Sequence, residues 1–94
     1  MYVVQFTSAA HRIFKKLPKD VQSEIVEKAT LLKSDPLQGE QLQGKHRYLR
    51  SLHFTHHGVA YRIIYQVLSQ AQTVVIHLAD KRENIYKRLE HMGI

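Results

Sequence analysis

Cysteine is absent from this chain of 94 residues. Its absence excludes a disulfide scaffold, a cysteine-ligated zinc site, a thiol nucleophile and an iron–sulfur cluster. The chain also lacks a long apolar run, so we expect no membrane-spanning segment. The N-terminal residues do not combine a basic region with a long apolar one, as a secretory signal would. We therefore expect a cytoplasmic protein.

Several motifs that would mark a catalytic or cofactor site are also missing. There is no glycine-rich phosphate loop and no serine-nucleophile motif. The adjacent pair His56 and His57 does not match the spacing of a metal-binding helix, and no carboxylate triad accompanies it. We interpret this pair as part of a turn, and we predict neither a metal nor another cofactor.

Acidic residues are scarce relative to basic ones. Fourteen lysines and arginines stand against eight aspartates and glutamates, which gives a formal net charge of +6. The excess is concentrated in residues 41–94, which hold eight basic and three acidic residues and six of the seven histidines. A basic half of this kind favours a polyanionic partner, nucleic acid above all. The alternative is a basic protein that has no such partner.

Hydrophobic periodicity predicts the element order β-α-α-β-β-β-α. Ser8 is expected to cap the first helix, and the sequence Ser34-Asp35-Pro36 to end the second. Residues 35–48 are polar and contain a proline and two glycines, so we predict a long loop there. The predicted elements are a strand over 2–6, helices over 9–16 and 19–33, a strand around Leu52 and Phe54, strands over 59–68 and 73–79, and a charged helix over 81–91.

Three consecutive strands joined by short turns indicate an antiparallel meander with the helices packed on one face. We therefore predict one α+β domain over residues 1–94. In it, an antiparallel helical hairpin packs on a mainly antiparallel four-stranded sheet. On the strand over 73–79, we expect Val74, Ile76 and Leu78 all to face inward, because alternate residues of a strand share a face.

The register of this sheet decides which polar side chains meet. If the alternating apolar residues of the strand over 59–68 face the helices, Arg62 faces the opposite side. The same logic turns Ser51 and His53 outward on the preceding strand, so that His53, Arg62 and His77 share one open face. Arginine can hold phosphate oxygens in pairs, and imidazole can move protons near neutral pH. The alternative is that these are ordinary solvated surface residues.

Four segments together resemble the RelE/ParE toxin superfamily, and most of all its RelE branch. The segments are Tyr-Arg-Ile-Ile-Tyr-Gln-Val over 61–67, the apolar strand over 74–79, the group Lys81-Arg82-Glu83 followed by Tyr86, and Leu42-Gln43-Gly44, which matches the family's L-x-G element. The resemblance covers essentially the whole chain, and the element order fits as well. The first segment is the most specific, but RNA-cleaving and non-cleaving members share it.

This resemblance implies a toxin of a type II toxin–antitoxin pair, an mRNA interferase that enters the ribosomal A site and cleaves mRNA there without a metal. The 2′-hydroxyl of the substrate would attack the adjacent phosphate. The matched positions imply that Arg62 stabilises the transition state, that Arg82 contacts the phosphate or leaving group, and that Tyr86 orients or deprotonates the nucleophile. The implied partner is a small antitoxin with an acidic toxin-binding segment. Further contacts to RNA phosphates are predicted for Lys81, His77, Arg50, Lys45 and Lys87.

The chain departs from the family pattern on the first strand of the meander. RelE-type members often carry two lysines there, whereas the matching positions here are Ser51 and His53. Some relatives use histidines as acid and base, which implies His53 and His77 as substitutes. The other interpretation is weak or absent ribonuclease activity. Two further functions stay open, a ParE-like inhibitor of DNA gyrase without nuclease activity and a plain nucleic-acid-binding module.

Overall fold

A computed structural model describes residues 1–92 as one five-stranded sheet with three helices. The strands are β1 (Val3–Phe6), β2 (Glu40–Gln41), β3 (Arg50–His56), β4 (Val59–Leu68) and β5 (Thr73–Lys81), and the helices are α1 (Ser8–Lys15), α2 (Lys19–Leu31) and α3 (Arg82–Met92). The strand order is β1-β5-β4-β3-β2, in which only β1 and β5 are parallel among the pairs of the described chain. None of the three helices has both the length and the apolar character needed to cross a membrane. The predicted α+β class is confirmed, with five strands instead of four.

Helices α1 and α2 cover one face of the sheet. The cap of α1 is Thr7, whose hydroxyl oxygen accepts a hydrogen bond from the Ala10 amide at 3.1 Å, so the prediction of Ser8 as the cap is wrong by one residue. Helix α2 turns Val21 and Ile25 toward the sheet, at the helical spacing that the sequence predicts. The core on this face consists of Ala10, Val21, Ile25, Ala29, Leu32, Phe54, Tyr61, Ile63, Tyr65, Val74, Ile76 and Ala79.

Helix α3 covers part of the opposite face, so the prediction that all helices pack on one side is wrong. Ile85 and Leu89 of α3 pack with Ile64 of β4 in a second apolar cluster. Ser51 lies beneath this layer and is only 1% exposed, although we expected it to face solvent. Most residues of α3 are polar or charged, but Ile85 and Leu89 are four positions apart and lie on the same side of the helix. These two apolar residues are enough to pack one side of a short helix against the sheet.

A β-bulge in β5 changes which of its side chains face α3. Ile64 pairs with Leu78 but the next residue, Tyr65, pairs with Ile76, which leaves His77 as an extra residue in β5. Ile76 therefore faces α1 and α2, whereas Leu78 packs with α3. The prediction that Leu78 shares a face with Val74 and Ile76 is wrong for this reason. The shift also places Asp80 directly opposite Arg62.

The long loop predicted before β3 contains β2, which is the strand that the sequence did not predict, and a 3₁₀ turn at Gly44–His46. The Tyr65 hydroxyl holds this loop, since it donates to the Pro36 carbonyl at 2.8 Å and accepts from the Gly39 amide at 2.9 Å. A Cβ at Gly39 would lie 2.7 Å from that hydroxyl and 2.9 Å from the Ser51 carbonyl oxygen. Only glycine fits this close approach, which lets β2 pair with β3.

Candidate functional site

Arg62 and Tyr86 form the centre of the candidate site, on the face that carries α3. An Arg62 Nη1 hydrogen donates to the Tyr86 hydroxyl at 2.7 Å, and the guanidinium carbon lies 5.7 Å from the centroid of the tyrosine ring. Arg62 reaches this face because its neighbours Tyr61 and Ile63 are buried against α1 and α2. Tyr86 is 57% exposed and is therefore accessible to a ligand.

His53 lies next to Arg62 on the adjacent strand. The two residues are direct partners in the antiparallel β3–β4 register, which confirms the predicted juxtaposition. Desolvation lowers the pKa of His53 below its ordinary value of 6.5, and the positive charges of Arg62 and Arg82 lower it further, against an opposing effect of Glu40. His53 is therefore neutral at neutral pH and can accept a proton.

Three depressions that share lining residues surround these side chains. One of about 420 Å³ is lined by His53, Arg62 and Tyr86 together with residues of the loop around β2. A second of about 280 Å³ is lined by His53, Arg62 and Arg82. A third of about 680 Å³ is lined by Lys81, Arg82 and Tyr86 together with the β3–β4 turn. We call the surface formed by His53, Arg62, Lys81, Arg82 and Tyr86 the basic groove. It combines two guanidinium groups, an ammonium group, a neutral imidazole and a phenol, a set suited to binding a phosphodiester and transferring protons beside it.

An ion pair between the buried Asp80 and the partly exposed Arg88 holds α3 beside the basic groove. Asp80 is 3% exposed, and its carboxylate accepts hydrogen bonds from Arg88 Nε and from the Lys81 amide. Arg88 lies two turns into α3, so the pair ties the helix to the end of β5. Because Asp80 lies opposite Arg62 in the sheet, the pair also means that this carboxylate already has Arg88 as its cationic partner. The sequence indicated neither effect, because Asp80 shares this face only as a result of the bulge.

The structure does not bring all the predicted phosphate-binding residues together. Arg50 faces the α2 side of the sheet and donates to the backbone carbonyls of Gly39 and Leu37. His77 lies at the bulge, where its Nε2 is 3.1 Å from Gln66 Oε1 and burial lowers the pKa of its imidazole. Lys87 lines a separate depression of about 310 Å³ between α1 and α3. Lys45 is exposed on the 3₁₀ turn.

Residues of the loop around β2 also line the groove, although the sequence analysis did not select them. They are Glu40, Gln41, Leu42, Gln43 and His46. The L-x-G element was the one signal near them, since it includes Leu42 and Gln43. Their position depends on the pairing of β2 with β3, which two polar residues do not reveal in a sequence.

The chain resembles known toxins both in sequence and in structure. Residues 3–90 match the family model of the ParE-like toxin of type II bacterial toxin–antitoxin systems. The chain is 36% identical to Toxin RelG of Mycobacterium tuberculosis over 89 residues, which is 93% of this chain and 98% of that protein.

Solved structures of toxins and of toxin–antitoxin complexes are similar to this chain as well. The toxin–antitoxin complex RelBE2 of M. tuberculosis contains a chain with 34% identity and a TM-score of 0.73, over 86% of this chain and 91% of that one. The isolated E. coli RelE toxin is 20% identical and has a TM-score of 0.73 over the full length of both chains, which shows a common fold. The chain therefore belongs to the ParE-like family of toxins of type II bacterial toxin–antitoxin systems, within the RelE/ParE superfamily.

Proposed function

We propose that this protein is a ribosome-dependent mRNA endoribonuclease that stops translation. The observation that carries the proposal is the contact between Arg62 and Tyr86 directly beside His53 and Arg82. A guanidinium that already donates to a phenol, next to a neutral imidazole, provides both charge stabilisation and a proton acceptor. These are the two functions that cleavage of RNA by its own 2′-hydroxyl requires.

The proposed reaction is an internal transfer at phosphorus. The neutral imidazole of His53 accepts the proton of the 2′-hydroxyl, and the 2′-oxygen attacks the adjacent phosphorus. The bond from phosphorus to the 5′-oxygen breaks, which leaves a 2′,3′-cyclic phosphate and a 5′-hydroxyl. Arg62 and Arg82 bind the nonbridging oxygens as negative charge builds up on them. Lys81, which lines the same depression as Arg82, supplies a proton to the leaving 5′-oxygen.

Tyr86 has a positioning role in this proposal. Its ring is exposed at the edge of the basic groove and offers a flat surface for a base next to the scissile phosphate. Its hydroxyl accepts the hydrogen bond from Arg62, which holds the guanidinium toward the groove. A base stacked on this ring would bring the 2′-hydroxyl within reach of His53 and Arg62.

The proposed partners are the ribosomal A site with its mRNA and a cognate antitoxin. The RelBE2 complex and the E. coli RelBE complex are toxin–antitoxin complexes of relatives or fold neighbours. The net charge of +6 suits an antitoxin segment that is acidic and amphipathic and that folds on binding. Such a segment would inhibit the toxin by covering the basic groove or by displacing α3, which carries Tyr86.

The test is controlled expression of the wild type and two variants in bacteria, with translation and DNA replication measured in parallel. Translation should stop first with the wild type and with Arg12→Gln, because Arg12 is an exposed arginine on α1 away from the groove. Arg62→Gln should leave both processes running at equal soluble expression. Arrest of DNA replication before translation would overturn the proposal in favour of gyrase inhibition.

A further inference from the structure

A second polar cluster lies at the β3–β4 turn, on the side of the sheet that faces α2. His56 Nδ1 is 2.6 Å from Glu24 Oε1, and His56 Nε2 is 2.8 Å from Asp20 Oδ2. His57 Nε2 lies 3.8 Å from the same Asp20 oxygen. Because His56 and His53 are three residues apart on β3, they face opposite sides of the sheet. This cluster is therefore separate from the catalytic groups of the basic groove.

Two features of the chain bring these four side chains together. Asp20 and Glu24 are four residues apart in the first half of α2, so they share one side of the helix. His57 and Gly58 both have positive φ, 49° and 77°, which gives the tight turn that joins β3 to β4. A left-handed conformation is uncommon for a residue other than glycine. Here it occurs at a histidine whose ring nitrogen approaches the α2 carboxylate.

The donor atoms have the arrangement of a metal-ligand set. One oxygen of Asp20 and one ring nitrogen each from His56 and His57 all lie within 4.8 Å of one another. Donors on a tetrahedral zinc ion are about 3.3 Å apart, given bonds of about 2.0–2.1 Å, so rotations of exposed side chains are enough to close the site. Asp20 and His57 have 57% and 79% of their side chains exposed, which leaves them free to rotate.

Glu24 is not a member of this donor set, but it holds one of the donors, His56, in place. It contacts Nδ1 of His56, which directs Nε2 of the same ring toward Asp20. Metal-binding histidines commonly have a carboxylate on the second ring nitrogen, which fixes the ring orientation and makes the ligand more basic.

We propose that Asp20, His56 and His57 bind one divalent transition-metal ion, with Zn²⁺ as the best match for two imidazoles and one carboxylate. The remaining coordination position is open to water. The bound ion would connect the first turn of α2 to the β3–β4 turn, two segments 36 residues apart in the chain. An ion that binds only the folded state stabilises that state. The site is thus a structural staple, and it takes no part in phosphodiester cleavage.

The experiment is calorimetric titration of the chelator-treated, dialysed protein with ZnCl₂, together with thermal unfolding with and without the metal. We expect one Zn²⁺ per chain and a higher unfolding temperature in its presence. His57→Asn and Asp20→Asn should each weaken binding at least tenfold. Asparagine tolerates the left-handed conformation at position 57 and is nearly isosteric at position 20, so both variants should fold. Glu24→Gln should weaken binding less, because it changes only the orientation of His56.

The matched control is His91→Gln, which removes an exposed histidine on α3 from outside the cluster. It should bind Zn²⁺ as the wild type does. Co²⁺ in place of Zn²⁺ should give the visible absorption of a tetrahedral nitrogen and oxygen site in the wild type and lose it in His57→Asn. The proposal is overturned by no binding, by equal binding in the wild type and His57→Asn, or by loss of binding in His91→Gln. None of these outcomes depends on ribonuclease activity.

Discussion

Two histidines on β3 have opposite environments although only three residues separate them. His56 faces α2, where the carboxylates of Asp20 first and Glu24 second accept hydrogen bonds from the imidazolium and so raise its pKa. His53 faces α3, where desolvation and then the charges of Arg62 and Arg82 lower its pKa. Both imidazoles belong to β3, so the strand itself does not account for the difference in pKa. The element packed against each face decides whether that imidazole favours a proton or releases it.

The difference between the two faces explains where the positive charge of the chain becomes available. On the α2 face, carboxylates accompany the histidine at the end of β3. On the α3 face, the carboxylate opposite Arg62 belongs to Asp80, which Arg88 holds. The basic groove can therefore attract an anion, and His53 beside it is neutral. The following predictions test this contrast in order of decreasing effect.

Replacing Arg62 by glutamine should have the largest effect on activity. The loss of a charge-assisted contact to the transition state should slow cleavage about a hundredfold to a thousandfold, which corresponds to about 2.7–4 kcal/mol. Arg62 is only half-buried on the α3 face, so the free energy of unfolding should change by less than about 1 kcal/mol. Single-turnover cleavage on purified ribosomes and urea unfolding measure the two quantities. A rate within threefold of the wild type would contradict the role of Arg62.

Removing the cation that holds Asp80 should have the largest effect on stability. Arg88→Ala leaves a carboxylate that is 3% exposed without its ion-pair partner. We expect a loss of about 1–3 kcal/mol, below the cost of a fully buried pair because the Arg88 side chain is partly exposed. Thermal or urea unfolding measures the loss, with Lys87→Ala, an exposed neighbour on α3, as the control. Equal stability of both variants would mean that the ion pair does not hold α3.

Replacing Tyr86 by phenylalanine should have a smaller effect on activity than Arg62→Gln. The variant keeps the ring for base stacking but loses the 2.7 Å hydrogen bond with Arg62. We expect cleavage to slow about tenfold, which is about 1.4 kcal/mol, with normal substrate binding. Measurement of the maximal rate and the half-saturating ribosome concentration separates the two effects. An unchanged maximal rate would reduce Tyr86 to a residue that anchors α3.

The pKa of His53 should respond to its arginine neighbour. In the wild type, His53 should titrate below 6.5, because desolvation and two positive charges disfavour the imidazolium. Arg62→Gln removes one of those charges and should raise this pKa, whereas Arg12→Gln should leave it unchanged. Cleavage by the wild type should correspondingly persist to a lower pH than it would with a histidine of ordinary pKa. NMR titration of the assigned imidazole checks the shift, and a lower pKa in Arg62→Gln would contradict the assigned cause.

The sequence predicted best where one local pattern decided the structure. The bounds of β4 agree with the predicted strand over 59–68, because apolar residues occupy every second position from Val59 to Val67. The pairing of His53 with Arg62 followed from that alternation and a short turn. The position of Leu78 could not be predicted, because one extra residue in β5 reverses the alternation after it.

Contacts between distant segments account for the other differences. Arg50 is a basic residue on β3, the strand that carries His53, and was therefore predicted to bind phosphate. Its guanidinium instead donates hydrogen bonds to backbone carbonyls of the loop before β2. The pair His56 and His57 looked like a simple turn, because Asp20 and Glu24 precede it by more than 30 residues. Neither set of partners leaves a local pattern in the sequence.

The most direct test of the proposed cleavage uses a single altered atom in the substrate. Purified protein is added to ribosomes that hold a defined mRNA, and the ends of the cleaved RNA are identified. In a second mRNA, a 2′-deoxynucleotide replaces the ribonucleotide on the 5′ side of the scissile bond. We predict a 2′,3′-cyclic phosphate and a 5′-hydroxyl from the first mRNA and no cleavage of that bond in the second. Equal cleavage of both mRNAs would contradict attack by the 2′-hydroxyl and the function assigned to the basic groove.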